Sequence, residues 1–347
     1  MMQLSPKLAK AQTGSAQSAG SEVSARPIRK RLQNIFGLFL VVVIALIASP
    51  HSPRGDLIFL EAGNITDVLR QVSEIGIISL GMTFVILTGG IDLSVGTVLA
   101  LASSLVALVL TRAPLGMSSA MIVAAALFIS VAAATLTGFT NGYIIARLRI
   151  QPFIVTLAMM IGVRGLARWL TSNTNIDIGF GMDAASVFAR SFSTKTIVIG
   201  SYVLVAIALA AVLSKTVFGR YVRAVGDNEK AARYAGLPIS RTKTLVYTMT
   251  GLLAGYAGVL HAAQNHQGNP NSGVAYELDA IAAVVIGGTS LMGGSGSISG
   301  TVVGTLIIGV LTNILRLNNV DSNVEMMIKA TIILVAVWVQ RAGKDAT

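Results

Sequence analysis

Long apolar runs separated by short polar turns recur from Asn34 to Gln340. The runs are continuous, not alternating, so they read as helices and exclude an outer-membrane barrel. A crossing of the hydrocarbon takes roughly 20 residues. On that measure the pattern predicts ten spans, near residues 35–49, 73–91, 93–111, 118–142, 152–170, 195–213, 244–262, 277–292, 297–316 and 324–340. The expected fold class is an all-α polytopic membrane protein.

The polar stretches divide the rest. Residues 1–31 are rich in Ser, Ala and Gln and carry several cations, which predicts a disordered cytoplasmic tail. A basic flank before a short apolar core also describes a signal peptide. The length of the tail and the many spans after it favour a retained first span. Residues 32–341 then form the membrane domain, and 342–347 a short tail.

The longest polar interruption after the N-terminal third is 214–243. It carries Lys215, Arg220, Arg223, Lys230, Arg233, Arg241 and Lys243 against only Asp227 and Glu229. Inside it, Asp227-Asn228 predicts the cap of a short helix through Glu229, Ala231, Ala232 and Tyr234. Gly236 should stop that helix, and Pro238 should bar its return. Ala231, Ala232 and Ala235 would give it a low-profile side on which another protein can dock.

Composition supports the membrane reading. The chain of 347 residues is 53% hydrophobic and only 12% charged, against roughly 25% charged in soluble domains. A net charge of +11 would raise nucleic acid as a partner of a soluble protein. Here the cations flank apolar runs, which is an orientation signal instead. With the N-terminus inside, Arg147, Arg149, the 214–243 loop, Arg341 and Lys344 fall on the inner side. The outer loops keep only Arg54, Arg70, Arg112 and Arg190, so both ends are expected in the cytoplasm. No cysteine is present, which removes disulfides and thiolate chemistry. His261 and His266 are five apart and do not share a helix face, so no metal site is expected.

Several residues inside or beside the spans are candidates for function. In the turn Gly89-Gly90-Ile91-Asp92-Leu93-Ser94-Val95-Gly96, two glycines break the helix. Asp92 or Ser94 then either caps the next helix or marks a broken helix at a gate. Arg164 and Arg168 share one helix face. Arg168 can snorkel to water. Arg164 lies deeper and must pair with a carboxylate or carbonyls, or line a path. Glu277 and Asp279 open the eighth span from outside, either to complement the helix dipole or to meet a hydroxylated ligand at the outer mouth. Gly251-x-x-x-Gly255 and Gly300-x-x-x-Gly304 read as packing seams, within the bundle or between subunits. The 85–96 stretch faintly resembles 285–294, which suggests two parallel pseudo-repeated halves. There is no P-loop and no evident catalytic set, so no enzymatic activity is expected of this chain.

These motifs together resemble one family. Phe218-Gly219-Arg220, Ala224-Val225-Gly226, Asn228, Ala231-Ala232 and Gly236-Leu237, followed by Gly251 and Gly258, are similar to permease subunits of bacterial ABC importers. GGIDLSVG at 89–96, Gln151 to Leu157, and Glu277 to Ile281 with the later glycine pairs resemble the ribose-type monosaccharide permeases in particular. The resemblance covers about residues 35 to 340, and the basic tail before Arg31 is not part of the family pattern. It implies a multi-pass inner-membrane subunit that carries a monosaccharide or related polyol and pairs with a second copy or homologue. It implies a cytoplasmic ATPase pair and, usually, a periplasmic sugar-binding protein. No cofactor belongs to this chain; ATP and Mg²⁺ are used by the ATPase. Gly226, Asn228, Glu229, Ala231, Ala232, Gly236 and Leu237 would form the coupling element. A permease for branched-chain amino acids or nucleosides, an ion-coupled secondary transporter and a membrane scaffold remain the alternatives.

Overall fold

A computed structural model describes residues 36–114, 116–180 and 183–345. The expectations for residues 1–31 lie outside the described residues. The helices are α1 Phe36–Ile47, α2 Ala62–Leu87, α3 Val95–Arg112, α4 Ser119–Leu148, α5 Pro152–Leu170, α6 Ala184–Phe192 and α7 Lys195–Lys215. They continue as α8 Val217–Asp227, α9 Glu229–Tyr234, α10 Ile239–Asn265, α11 Tyr276–Ile286, α12 Ile298–Leu317 and α13 Ser322–Asp345. One antiparallel ladder joins β1 (Ile176–Asp177) to β2 (Gln267–Gly268). The all-α polytopic reading therefore stands.

Among the described residues seven helices are long and apolar enough to cross a membrane: α2, α3, α4, α5, α7, α10 and α12. The other three expected spans fall on α1, α11 and α13. α1 is a shorter apolar helix, α11 has 11 residues, and α13 has 24 and runs on to Asp345. α2 starts at Ala62 rather than near 73 because its polar first turns stay helical. Asp67 there pairs with Arg70 and with Lys195 of α7, at 3.5 and 3.0 Å. α11 stops short of the expected 292 because Gly287-Gly288 breaks it, with Gly288 at φ +85°.

α2, α3, α10 and α12 form the mostly buried centre, while α4, α5 and α7 turn most of their apolar surface outward. Side-chain hydrogen bonds set the antiparallel register of α2 and α12. Asn313 Nδ2 donates to Asn64 Oδ1 at 2.8 Å near one end, and Thr83 and Thr301 share a 2.7 Å bond near the other. Gly251 and Gly255 seat α10 on Gly138 and Ala134 of α4, so that seam lies within the chain. Gly300 and Gly304 likewise seat α12 on Gly287 and Ala283 of α11.

The segment between α10 and α11 is re-entrant. Gly258 of α10 packs on Leu99 and Ala102 of α3, and Gly268 on Ser103 and Ala107 further along. Gly273 then returns to Gly96, at the start of α3. The chain has doubled back along α3 from Ser103 to Gly96, about 10 Å at 1.5 Å per residue. Glu277 and Asp279 do fall in the first turn of α11, with Asp279 buried. α11 begins inside the bundle, with the Glu277 carboxylate against Gly96.

Gly138 tests the seam. A Cβ there would meet the Tyr247 carbonyl and the Gly251 backbone, whereas one at Gly162 of α5 meets nothing within 4 Å. Gly138→Leu should therefore destabilise the protein by about 1–3 kcal/mol or more, and Gly162→Leu should not. The half-loss temperature of monodisperse protein in detergent checks this; equal temperatures for the two variants would count against the seam.

Candidate functional site: the coupling segment and the interior turns

α8 and α9 meet at an elbow at Asn228. The Thr216 hydroxyl caps α8 by accepting from Gly219 N–H at 3.2 Å. Asn228 Oδ1 caps α9 by accepting from Ala231 N–H at 2.9 Å. Gly236, at φ +75°, ends the turn after Tyr234, and Pro238 stands at the entry to α10. The short capped helix has its expected bounds.

Its faces differ from the expected ones. Ala232 is only 5% exposed and packs on Val225 and Ile239, with Leu237 half-buried beside them. It therefore faces its own chain, and the expectation that it forms a docking face is corrected. Ala231, Ala235 and Gly236 are exposed, and Tyr234 projects at 91% exposure. Sequence reasoning passed over Tyr234 as one more helix residue. A large aromatic next to three small neighbours was the available signal.

Glu229 is used within the chain. Its carboxylate accepts from Lys243 Nζ at 2.7 Å and from Arg233 at 3.1 Å. Burial pushes its carboxyl up, but these two cations outweigh burial and hold it below the usual glutamate value. It is thus ionised at neutral pH, and the contact is lost only as the pH falls through that lowered value.

Gly226 turns inward too. A Cβ there would coincide with the Leu87 carbonyl at the end of α2. Gly294 N–H donates to that same carbonyl at 3.0 Å, and Gly293 packs on the Gly226 backbone. The α8–α9 elbow, the end of α2 and the α11–α12 turn thus meet backbone to backbone. The two glycine turns that resemble each other in sequence touch at this point.

The 89–96 turn closes on itself. Asp92, 2% exposed, accepts from Ser94 N–H at 2.9 Å and from Ser94 Oγ at 2.6 Å. Asn141 Nδ2 of α4 donates to Ser94 Oγ at 2.9 Å, and Thr156 Oγ1 of α5 donates to Ile91 O at 3.3 Å. Ser94 stands at the N-cap of α3 but makes no side-chain cap bond. Both side chains therefore close the turn instead of capping α3.

Arg164 holds the re-entrant segment, donating to Pro270 O at 2.8 Å and Ser272 O at 2.6 Å. Arg168 Nε donates to Asn271 Oδ1 at 2.9 Å on an exposed flank. Behind this, His261 bridges Glu74 and Ser272 Oγ, each at 2.9 Å, and Gln264 donates to Glu74 at 2.5 Å. Asp279 pairs with Lys329 at 3.1 Å, and Lys329 reaches Glu325 at 2.9 Å. Asp92 and Ser94 thus bond within their own turn and to Asn141, Arg164 holds the re-entrant segment, Asp279 pairs with Lys329, and Glu277 abuts Gly96 at the end of the 89–96 turn. Glu74 and Lys329 were missed, although each is an ionisable residue within an expected span, which is itself a signal of function or pairing. Among the described residues no cluster of three or more His, Asp or Glu has a metal-holding arrangement.

The chain is similar to known proteins along most of its length. Residues 64–337 match the family described as branched-chain amino acid transport system / permease component. The ribose import permease protein of Bacillus subtilis is 41% identical over 316 residues, covering 90% of this chain and 94% of that protein. Its Escherichia coli K12 counterpart is 40% identical over 309 residues, covering 87% and 92%. The fructose import permease protein of Rhizobium meliloti is 35% identical over 315 residues, covering 88% and 85%. No solved structure matches. With a family match over most of the membrane domain and relatives at this identity along nearly the whole chain, the protein belongs to the branched-chain amino acid transport system / permease component family, in the company of sugar import permeases.

Proposed function

We propose that the chain is the membrane-spanning subunit of an ATP-driven importer of a monosaccharide or related polyol. The observation that carries this is the 35–41% identity to ribose and fructose import permeases along almost the whole chain. The capped, surface-facing α9 supports it, because a partner that spends ATP needs a rigid element to push. In this reading the ATPase binds ATP and Mg²⁺, a periplasmic binding protein delivers the sugar, and the permease changes access between faces. One chain offers one α9, so two permease chains about a two-fold axis would serve an ATPase pair. Ten crossings with both termini inside the cytoplasm of a bacterial inner membrane complete the proposal, from the charge asymmetry of the loops. In this reading Asp92 and Ser94, in their closed turn, belong to the translocation path or its gate.

Reconstitution tests the energy source. In proteoliposomes holding the permease, its ATPase and a binding protein, sugar uptake should need ATP and persist when ionophores collapse ion gradients. Uptake that follows the gradients and ignores ATP would make the protein a secondary transporter.

The docking face is tested at Tyr234. Exposed aromatic anchors commonly contribute about 2 kcal/mol or more to an interface. Tyr234→Ala should insert normally yet lose ATPase co-purification and uptake, at least about tenfold in affinity. Unchanged affinity would move the docking face elsewhere. Ala232→Glu is the weaker test, because it breaks the chain's own packing.

The third expectation concerns Arg164. Removing its guanidinium leaves two interior carbonyls without donors, at about 1–3 kcal/mol each. Arg164→Leu should lower uptake and thermal stability severalfold more than Arg168→Leu, whose partner lies on an exposed flank. Equal tolerance at both positions, measured in the same vesicles, would leave Arg164 without a special role.

A further inference from the structure

A cavity of about 480 Å³ opens between the α4–α5 turn, α9 and the start of α10. Four cations line it, Arg147, Arg149, Arg233 and Lys243, against the single carboxylate of Glu229. Glu229 is already engaged by Arg233 and Lys243. The side chains of Arg147 and Arg149 make no hydrogen bond or ion pair among the described residues. The cleft therefore carries uncompensated positive charge, with the Gln151 amide and the Ser240 hydroxyl as further polar walls.

The backbone at Arg149 adds an independent observation. It closes α4 in the left-handed conformation, at φ +56°. Glycine is the usual residue there, because a Cβ is disfavoured in that region. Here an exposed arginine, without a side-chain hydrogen bond or ion pair among the described residues, stands in its place. Strain of this kind at an unengaged side chain points to a use for that side chain. At and beside the cleft, Leu148 ends α4, Ile150 lies in the turn, and Phe153 and Ile154 begin α5, all four exposed. An apolar rim next to a basic cleft is amphipathic in the manner of a lipid.

We propose that this cleft holds the phosphodiester headgroup of an anionic phospholipid of the cytoplasmic leaflet. Arg147 and Arg149 are its principal ligands, and its acyl chains lie along Phe153 and Ile154. The inference rests on the orientation given under the proposed function, which puts this end of the bundle inside. Arg233 belongs to α9, so a bound headgroup ties the coupling helix to the α4–α5 turn. Basic pockets between membrane helices on this face suit such headgroups, and each cation near a charged surface contributes enough to matter.

Binding is read directly, without ATPase or transport, so it does not depend on the importer assignment. Purified full-length protein in neutral detergent is titrated with phosphatidylglycerol, with phosphatidylcholine, or with inorganic phosphate, and bound lipid is followed by native mass spectrometry. Phosphatidylglycerol should bind and phosphatidylcholine should not. Inorganic phosphate at equal concentration should not displace it, since it lacks the acyl chains. Arg147→Gln with Arg149→Gln should weaken phosphatidylglycerol binding by at least about tenfold, the order expected for two such cations. Arg147→Lys with Arg149→Lys keeps the charge and should retain most of the binding. Should the glutamine pair fail to fold, Arg147→Gln alone is measured, with a loss of about threefold or more expected. Equal binding of both lipids, displacement by free phosphate, or wild-type affinity in the glutamine variant would each overturn the proposal. So would a glutamine variant that keeps the lipid but loses the ATPase, which would make the cleft part of the protein docking surface.

Discussion

Hydrocarbon offers no water to a backbone group, so each break in a helix must be satisfied by the protein itself. That constraint governs the centre of this molecule. α2 ends at Leu87 and α3 begins at Val95, and the intervening turn is closed by Asp92, Ser94, Asn141 and Thr156. On the other side the chain leaves α10 and folds back to Gly96, and Arg164 supplies donors to two of its carbonyls. Arg164 and Asp92 are thus two of the side chains that satisfy irregular backbone inside the bundle. The Glu74–His261–Ser272 chain of hydrogen bonds extends the same solution behind the re-entrant segment.

Much of this was legible in the amino-acid sequence, and the exceptions have physical causes. Continuous apolar runs announced the spans, and Asn228, Gly236 and Pro238 announced α9 with nearly the right ends. Capping is local, so a local reading recovers it. The direction in which a helix face points is not local, and Ala232 was placed outward for that reason. Its partners Val225 and Ile239 lie seven residues to either side, on the helices that flank α9. The re-entrant segment was hidden for a related reason. An 11-residue apolar helix followed by glycines looks like part of a longer crossing until Gly273 is seen against Gly96.

The paired polar side chains follow the same division. The i, i+4 pair Glu229–Arg233 lies within one helix, and spacing alone places it on one face. Asp279–Lys329 and Glu74–His261 join residues far apart in the chain, so only assembly of the bundle reveals that these ionisable groups have partners. Leaving one partner of such a pair alone in the interior is costly. The pairs therefore tie α11 to α13 and α2 to α10.

The meeting of Gly226 with Leu87 and Gly294 has a mechanical consequence. Side chains act as springs: they rotate between rotamers and absorb small displacements before passing them on. Here no side chain stands between the elbow and the two turns, so the joint has almost no compliance. Any displacement of the elbow at Gly226 would therefore bear directly on the end of α2 and the α11–α12 turn. Such a joint cannot be loosened gradually by exchanging one side chain for another. It transmits fully or, once a Cβ is wedged into it, comes apart.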